Sequence, residues 1–225
     1  MNPDILLLDY KPIRSYVLRA GRISRRQQYG LETCLRDFGL STDNCAWDLT
    51  AIFHRQAKTI VEIGFGMGQS LLLTAQQQPE INFIGIEVHR PGIGNLAADL
   101  RASRITNVRI ATIDAIDVFR TYIAANSLTG IQIFFPDPWP KQRHHKRRLI
   151  NLNFAKCLIE ALKPGGFIHC ATDWDDYADH MLRVFNSNSQ LTAVNVADER
   201  PQTKFERRGN KLGLKTHDLI FIKNL

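Results

Sequence analysis

From Lys58 onward, short apolar runs alternate with amphipathic stretches, and this alternation constrains the chain more than any other feature. The apolar runs predict strands over 59–63, 82–87, 108–112, 131–135 and 167–171, with two closing strands over 191–196 and 217–222. Between them the spacing predicts helices over 69–78, 94–103, 115–124, 148–162 and 174–185, with Lys163-Pro164-Gly165-Gly166 as a turn. Strand and helix in strict alternation mean βαβ units, hence an α/β fold on a largely parallel sheet. In such sheets ligands bind beyond the carboxyl ends of the strands, so strand-end residues are the first candidates for chemistry.

Those ends carry glycines and acids. Glu62-Ile63-Gly64-Phe65-Gly66-Met67-Gly68 lies between the first strand and its helix. Gly64 and Gly66 permit a sharp turn and let backbone approach a ligand closely. The G-x-G-x-G spacing differs from the G-x-G-x-x-G of dinucleotide-binding turns. Glu87 ends the second strand, 23 residues after Gly64. A carboxylate there can accept two hydrogen bonds from a ribose diol. Asp114 follows the third strand, where it could accept from an adenine amino group. Any one of these acids alone reads as a surface or capping residue; three on successive strands form a set. After the fourth strand comes Phe134-Phe135-Pro136-Asp137-Pro138-Trp139-Pro140-Lys141, in which two prolines stiffen the backbone around Asp137.

Charge adds a second layer. The net charge is +7, yet residues 45–136 hold seven basic and seven acidic side chains. The excess falls in three clusters: Lys11, Arg14, Arg19, Arg22, Arg25 and Arg26; Lys141, Arg143, Lys146, Arg147 and Arg148; and Arg200, Lys204, Arg207, Arg208, Lys211 and Lys215. A neutral body with basic clusters fits a polyanionic partner. Residues 1–50 read as a basic N-terminal arm with short helical stretches, and 51–225 as the α/β domain. Cys34, Cys45, Cys157 and Cys170 form no CxxC pair and read as free thiols of a reducing cytoplasm. No apolar run is long enough for a membrane span, and no secretory leader is expected. The scattered histidines predict no metal site.

The chain resembles the tRNA (guanine-N7-)-methyltransferase family, within the class I S-adenosylmethionine-dependent methyltransferases. The matching pieces are Val61 to Gly68, Phe135-Pro136-Asp137-Pro138-Trp139-Pro140-Lys141, His145-Lys146-Arg147-Arg148, Ala171-Thr172-Asp173, Thr203-Lys204-Phe205-Glu206 and the arm stretch Arg14 to Arg22. The resemblance implies a Rossmann-like, mostly parallel seven-stranded sheet with helices on both faces. It also implies methyl transfer from S-adenosyl-L-methionine to N7 of the variable-loop guanine, nucleotide forty-six of tRNA. Glu62, Glu87, Asp114 and Asp137 would then bind the cofactor, beside Gly64 and Gly66, with Asp137 also at the reaction centre. Lys141, Asp173, Thr203, Lys204, Phe205 and Glu206 would bind substrate. Arg143, His144, His145, Lys146, Arg147 and Arg148 would touch RNA. The expected state is a cytoplasmic monomer or homodimer away from membranes; some family members use a protein partner. The alternative is another RNA or small-molecule methyltransferase. A small-molecule enzyme leaves the basic clusters unexplained, an oxidoreductase has the wrong glycine spacing, and a non-enzymatic RNA-binding protein leaves the ordered acids idle.

Overall fold

The computed structural model describes residues 14–17, 21–43, 45–195, 200, 201, 203, 206, 209, 213 and 215–225. Seven strands form one sheet: β1 (Thr59–Ile63), β2 (Asn82–Ile86), β3 (Val108–Ala111), β4 (Leu128–Phe134), β5 (Leu162–Thr172), β6 (Leu191–Val194) and β7 (His217–Lys223). Their order is β3-β2-β1-β4-β5-β7-β6, with β7 antiparallel to both its neighbours and the first five strands parallel. Every residue of β1 and β2 is buried, as strands covered on both faces must be.

Alternate side chains of the strands feed two cores. Ile60, Phe83 and Ile110 pack with Leu71 of α4 (Gln69–Gln77) and Leu96 of α5 (Arg90–Ala102). Val61, Ile84 and Ile133 point the other way, toward α6 (Ala115–Thr121), α7 (Leu152–Ala161) and α8 (Asp175–Asn186). Helices therefore lie on both faces. Asp114 caps α6 by accepting from Ile116 N at 2.9 Å, and Asn151 caps α7 by accepting from Phe154 N at 3.1 Å.

Several boundaries differ from the sequence expectation, three of them for a local reason. Helix α5 starts at Arg90, because Pro91 fits a first helical turn where its missing N–H costs nothing. Helix α7 starts only at Leu152, and Gln142–Arg147 form a separate 3₁₀ turn, since Asn151 is the capping residue. Lys163–Gly166 lie inside β5 as a bulge: Leu128 pairs with Leu162, and the next pair is Gly130 with Phe167.

Upstream, α1 (Arg25–Tyr29), a π turn (Gly30–Cys34) and α2 (Leu35–Phe38) run on continuously and lie along α5. Ser24 and Gln27 form a reciprocal capping box at the start. Short helix α3 (Leu49–Phe53) follows, and Trp47 just before it stacks on Tyr122 with ring centroids 5.1 Å apart. The α1–α5 contact is backbone to backbone: a Cβ on Gly94 would lie 2.2 Å from the Gln27 carbonyl oxygen. Arg26–Asp99 and Arg101–Asp37 ion pairs flank it, but they are exposed and contribute little beside the packing. All four cysteines are free thiols. Among the described residues no helix is long and apolar enough to cross a membrane.

Gly94→Ala forces α1 away from α5 and should cost about 1–3 kcal/mol, the usual penalty of overpacking. Urea unfolding followed by circular dichroism reads this directly; an unchanged midpoint would mean that the two backbones do not touch.

Candidate active site

The strand order reverses between β1 and β4, and a cleft opens at their carboxyl ends. The turn after β1 holds Gly64 at φ 77° and Gly66 at φ 58°, conformations that disfavour any side chain. A Cβ at either position would meet nothing within 4 Å, so the bare backbone faces open space that a ligand can fill. Glu87 fastens this turn. Its Oε2 accepts from Gly66 N at 2.9 Å, while Oε1 accepts from Val88 N at 2.7 Å and His89 N at 2.9 Å. A carboxylate has about four acceptor positions, so room remains for a hydroxyl.

One half of the cleft is lined by Ser15, Tyr16, Gly64, Glu87, Asp114 and Asp137, and the other by Glu62, Gly66 and Thr203; Phe134 and Phe135 border both. Asp114 is already engaged. Besides capping α6, it accepts from Arg14 Nη1 at 2.6 Å, and Arg14 also reaches Asp117 at 3.3 Å. An adenine amino group would share or displace that arginine. Glu62 is only 3 % exposed. Burial pushes its pKa up to about 8, against the pull of Arg200 and with the help of Glu87. It therefore keeps its proton at neutral pH.

Asp137 sits exposed at the tip of a strained loop. Phe135 at φ 51° and Trp139 at φ 47° both adopt the left-handed region, which costs about 1–3 kcal/mol for each such residue unless the surroundings enforce it. They do enforce it. Phe135 N donates to Ala171 O on β5 at 2.7 Å, Trp139 Nε1 donates to Ser15 O at 3.0 Å, and Arg148 Nε donates to Pro138 O at 3.0 Å. Asp173 leaves the adjacent strand end, half-buried, one residue beyond β5.

The basic run divides by role. Lys141, Arg143 and Lys146 are exposed on or beside the 3₁₀ turn. Arg147 lies 5.1 Å over the Trp139 ring, and His144 meets the same ring edge-on at 5.8 Å. Lost hydration and the surrounding Arg143, Arg147, Lys141 and Lys146 hold the His144 pKa below its usual value. Arg148 departs from the expectation of an RNA contact: its side chain is 1 % exposed. It pairs with Asp176, bonds His145 Nε2 at 3.2 Å and lies 4.9 Å over the Tyr177 ring. No phosphate reaches a guanidinium so enclosed.

Thr203 and Glu206 cap each other. Thr203 Oγ1 accepts from Glu206 N at 3.1 Å, and Glu206 Oε2 accepts from Thr203 N at 3.2 Å. Glu206 is buried and clasped by Arg200 at 2.7 and 3.1 Å, which anchors the cap on Thr203. Lys204 and Phe205 lie outside the described residues, as do Lys11, Arg19, Arg207, Arg208 and Lys211. Sequence reasoning missed the wall made by Ser15 and Tyr16, and it counted Arg200 as surface charge. Only the position of Arg200 three residues before Thr203 hinted at its role. Among the described residues no cluster of His, Cys, Asp or Glu is arranged to hold a metal ion.

The strand order, the open glycine turn and the carboxylates at successive strand ends define a Rossmann-like methyltransferase that uses S-adenosylmethionine. A family model described as "Putative methyltransferase" matches residues 56–219. The tRNA (guanine-N(7)-)-methyltransferase of Legionella pneumophila (strain Corby) is 54 % identical, over 95 % of this chain and 99 % of that protein. Its namesake in Shewanella oneidensis is 47 % identical, over 94 % and 92 %. The 16S rRNA methyltransferase KamB shares the fold with a TM-score of 0.59, covering 80 % of this chain and 95 % of that one at 11 % identity. The chain belongs to the tRNA (guanine-N(7)-)-methyltransferase family.

S-adenosylmethionine carries an ammonium and a sulfonium, both of which favour the ionised form of a nearby acid. Glu62 should therefore release its proton when the cofactor binds at pH 7. Calorimetry in buffers of different ionisation enthalpy should record that proton for the wild type and lose it in Glu62→Gln; equal release by both would exclude Glu62. The same group shapes stability. Its folded pKa of about 8 lies above the ordinary 4.5. The folded state thus holds the extra proton between those values, and stability falls as pH rises through that window. Glu62→Gln should flatten this slope.

Proposed function

We propose that this protein methylates N7 of the variable-loop guanine, nucleotide forty-six, in tRNA. The observation that carries the reading is the placement of Asp137. It stands on a clamped, strained loop, in one cleft with Glu87 and Asp114 and directly before a 3₁₀ turn of exposed cations. The Legionella and Shewanella relatives bear the name of this activity.

In this reading Glu87 accepts from a ribose hydroxyl, Asp114 accepts from the adenine amino group and Glu62 pairs with the ammonium. The cofactor supplies an electrophilic methyl group. Guanine N7 offers an in-plane lone pair and carries no proton at neutral pH, so the protein needs no general base. Its contribution is positioning and electrostatics. Asp137 and Asp173, on neighbouring strand ends, face the positive charge that develops on the guanine ring or accept from its N1 and N2 donors. Lys141 and Thr203 complete the substrate side. Arg143, His144, His145, Lys146 and Arg147 meet phosphates, and His144 gains a proton more readily once an anion offsets its cationic neighbours. Guanine N7 is hidden in the deep groove of an A-form helix, so the target comes from a loop or is extruded. Residues 1–50 act as a basic arm on a catalytic unit spanning 51–225, and the compartment is the cytoplasm. The test is nucleoside mass spectrometry of tRNA before and after incubation with protein and S-adenosylmethionine. 7-Methylguanosine at the variable loop supports the reading, and any other methylated nucleoside overturns it.

Asp137→Asn keeps the loop shape and removes its charge. Single-turnover methylation should slow by about a hundred- to a thousandfold, the range for losing one preorganised electrostatic group, while tRNA still binds. A variant with wild-type rate would leave Asp137 only a loop residue.

Arg147 and Arg148 are adjacent yet should behave differently. Arg147→Ala should lower the log–log salt slope of tRNA binding by about 0.7–0.9, one phosphate contact, at constant stability. Arg148→Ala should instead destabilise the fold by about 1.5–3 kcal/mol, the scale of lost charge-assisted hydrogen bonds. Identical profiles for the two variants would refute this division.

A further inference from the structure

Arg200 sits where three elements meet. Its side chain is 6 % exposed, although the chain has basic charge in excess at its surface. Nε donates to Asp218 Oδ1 at 2.9 Å and Nη2 reaches Oδ2 at 3.3 Å. Nη1 and Nη2 donate to the two oxygens of Glu206 at 2.7 and 3.1 Å. Its Cζ lies 4.8 Å from the Phe134 ring centre and 5.7 Å from that of Phe135. Asp218 belongs to β7 and also bonds His169 Nε2 of β5 at 2.8 Å, and His169 meets Phe134 edge-on. Glu206 belongs to the segment that carries Thr203. Phe134 and Phe135 are the strand end from which the Asp137 loop departs. A further hydrogen bond, Ser70 Oγ to Pro201 O at 3.3 Å, ties the same segment to the helix after the glycine turn.

We propose that Arg200 is a positioning residue for methyl transfer, locking the Thr203–Glu206 segment to the strand end that carries Asp137, so that the substrate-facing Thr203 and the reaction centre keep one spacing. The inference rests on the proposed transfer to guanine in tRNA. The geometry calls for an arginine specifically. Only a planar fork bonds two carboxylates at once while lying over an aromatic face, and a lysine keeps the charge but does not make the paired bonds. Arg200 is not among the residues lining the cleft; it acts through Glu206 and Thr203 on one side and through Phe134 and Phe135 on the other.

The test compares wild type with Arg200→Lys in full-length protein. Measured are the single-turnover rate at saturating tRNA and S-adenosylmethionine, both dissociation constants, and amide hydrogen exchange. A displacement of about 1 Å at a reaction centre costs on the order of a hundredfold in rate, which is the loss expected here, with both dissociation constants within about threefold of wild type. Exchange at Thr203 and Glu206 should accelerate while β1 and β4 stay protected. A rate within about threefold of wild type, or a loss matched by weaker cofactor binding, overturns the proposal. If Arg200→Lys does not fold, Asp218→Ala removes one leg of the clamp. It should slow the single-turnover rate about tenfold at unchanged affinities, and a wild-type rate overturns the proposal. A wild-type protein that leaves tRNA unmethylated refutes the activity, and the exchange measurement then decides by itself whether Arg200 holds the segment.

Discussion

A parallel sheet buried on both faces leaves little room for charge except at the ends of its strands, and the site depends on that constraint. Val61, Ile63, Ile84 and Ile86 fill one core while Ile60 and Phe83 fill the other. Glu62 is an acid buried inside a strand, and its protonation answers the constraint, because a neutral acid is far cheaper to bury than a carboxylate. The remaining acids stand just past the strands. Glu87 and Asp114 satisfy themselves with backbone N–H groups and so double as fasteners of the turns that shape the cleft.

That double duty runs through the molecule. Glu87 holds the glycine turn, Asp114 caps α6, and Glu206 caps and anchors the segment bearing Thr203. Each acid positions backbone before it meets any ligand. The arrangement makes the cleft largely preformed, which is what a reaction governed by positioning needs. The Asp137 loop follows the same logic: two left-handed residues are sustained by hydrogen bonds to β5, from Arg148 and to the arm. Arginines divide accordingly. Arg148 and Arg200 are interior braces with aromatic faces beneath them, whereas Arg143 is exposed.

The arm contributes more than charge. Arg14 bonds Asp114, Ser15 accepts from Trp139, and Tyr16 lines the cleft, so a segment of basic charge also walls the cleft. Further along, α1 and α2 lie on α5 through backbone contact at Gly94. The division of the chain at residue 50 is therefore one of role, while the packing is continuous.

The sequence by itself determined the α/β architecture, the strands of the parallel half, the glycine turn and the acids that follow it. These are local: a period of alternation, a positive-φ turn and a strand-end position are all written within a few residues of each other. Tertiary structure alone decided which cations are surface and which are braces. Nothing in Lys146-Arg147-Arg148 says that the last side chain turns inward, because the reason is Tyr177 and Asp176, nearly thirty residues away. Arg200 is the same case. Its partners Asp218, Phe134 and Phe135 are distant in sequence, and only folding brings two carboxylates and two aromatic faces around one guanidinium. A buried cation is defined by what surrounds it, and those surroundings exist only once the chain has folded.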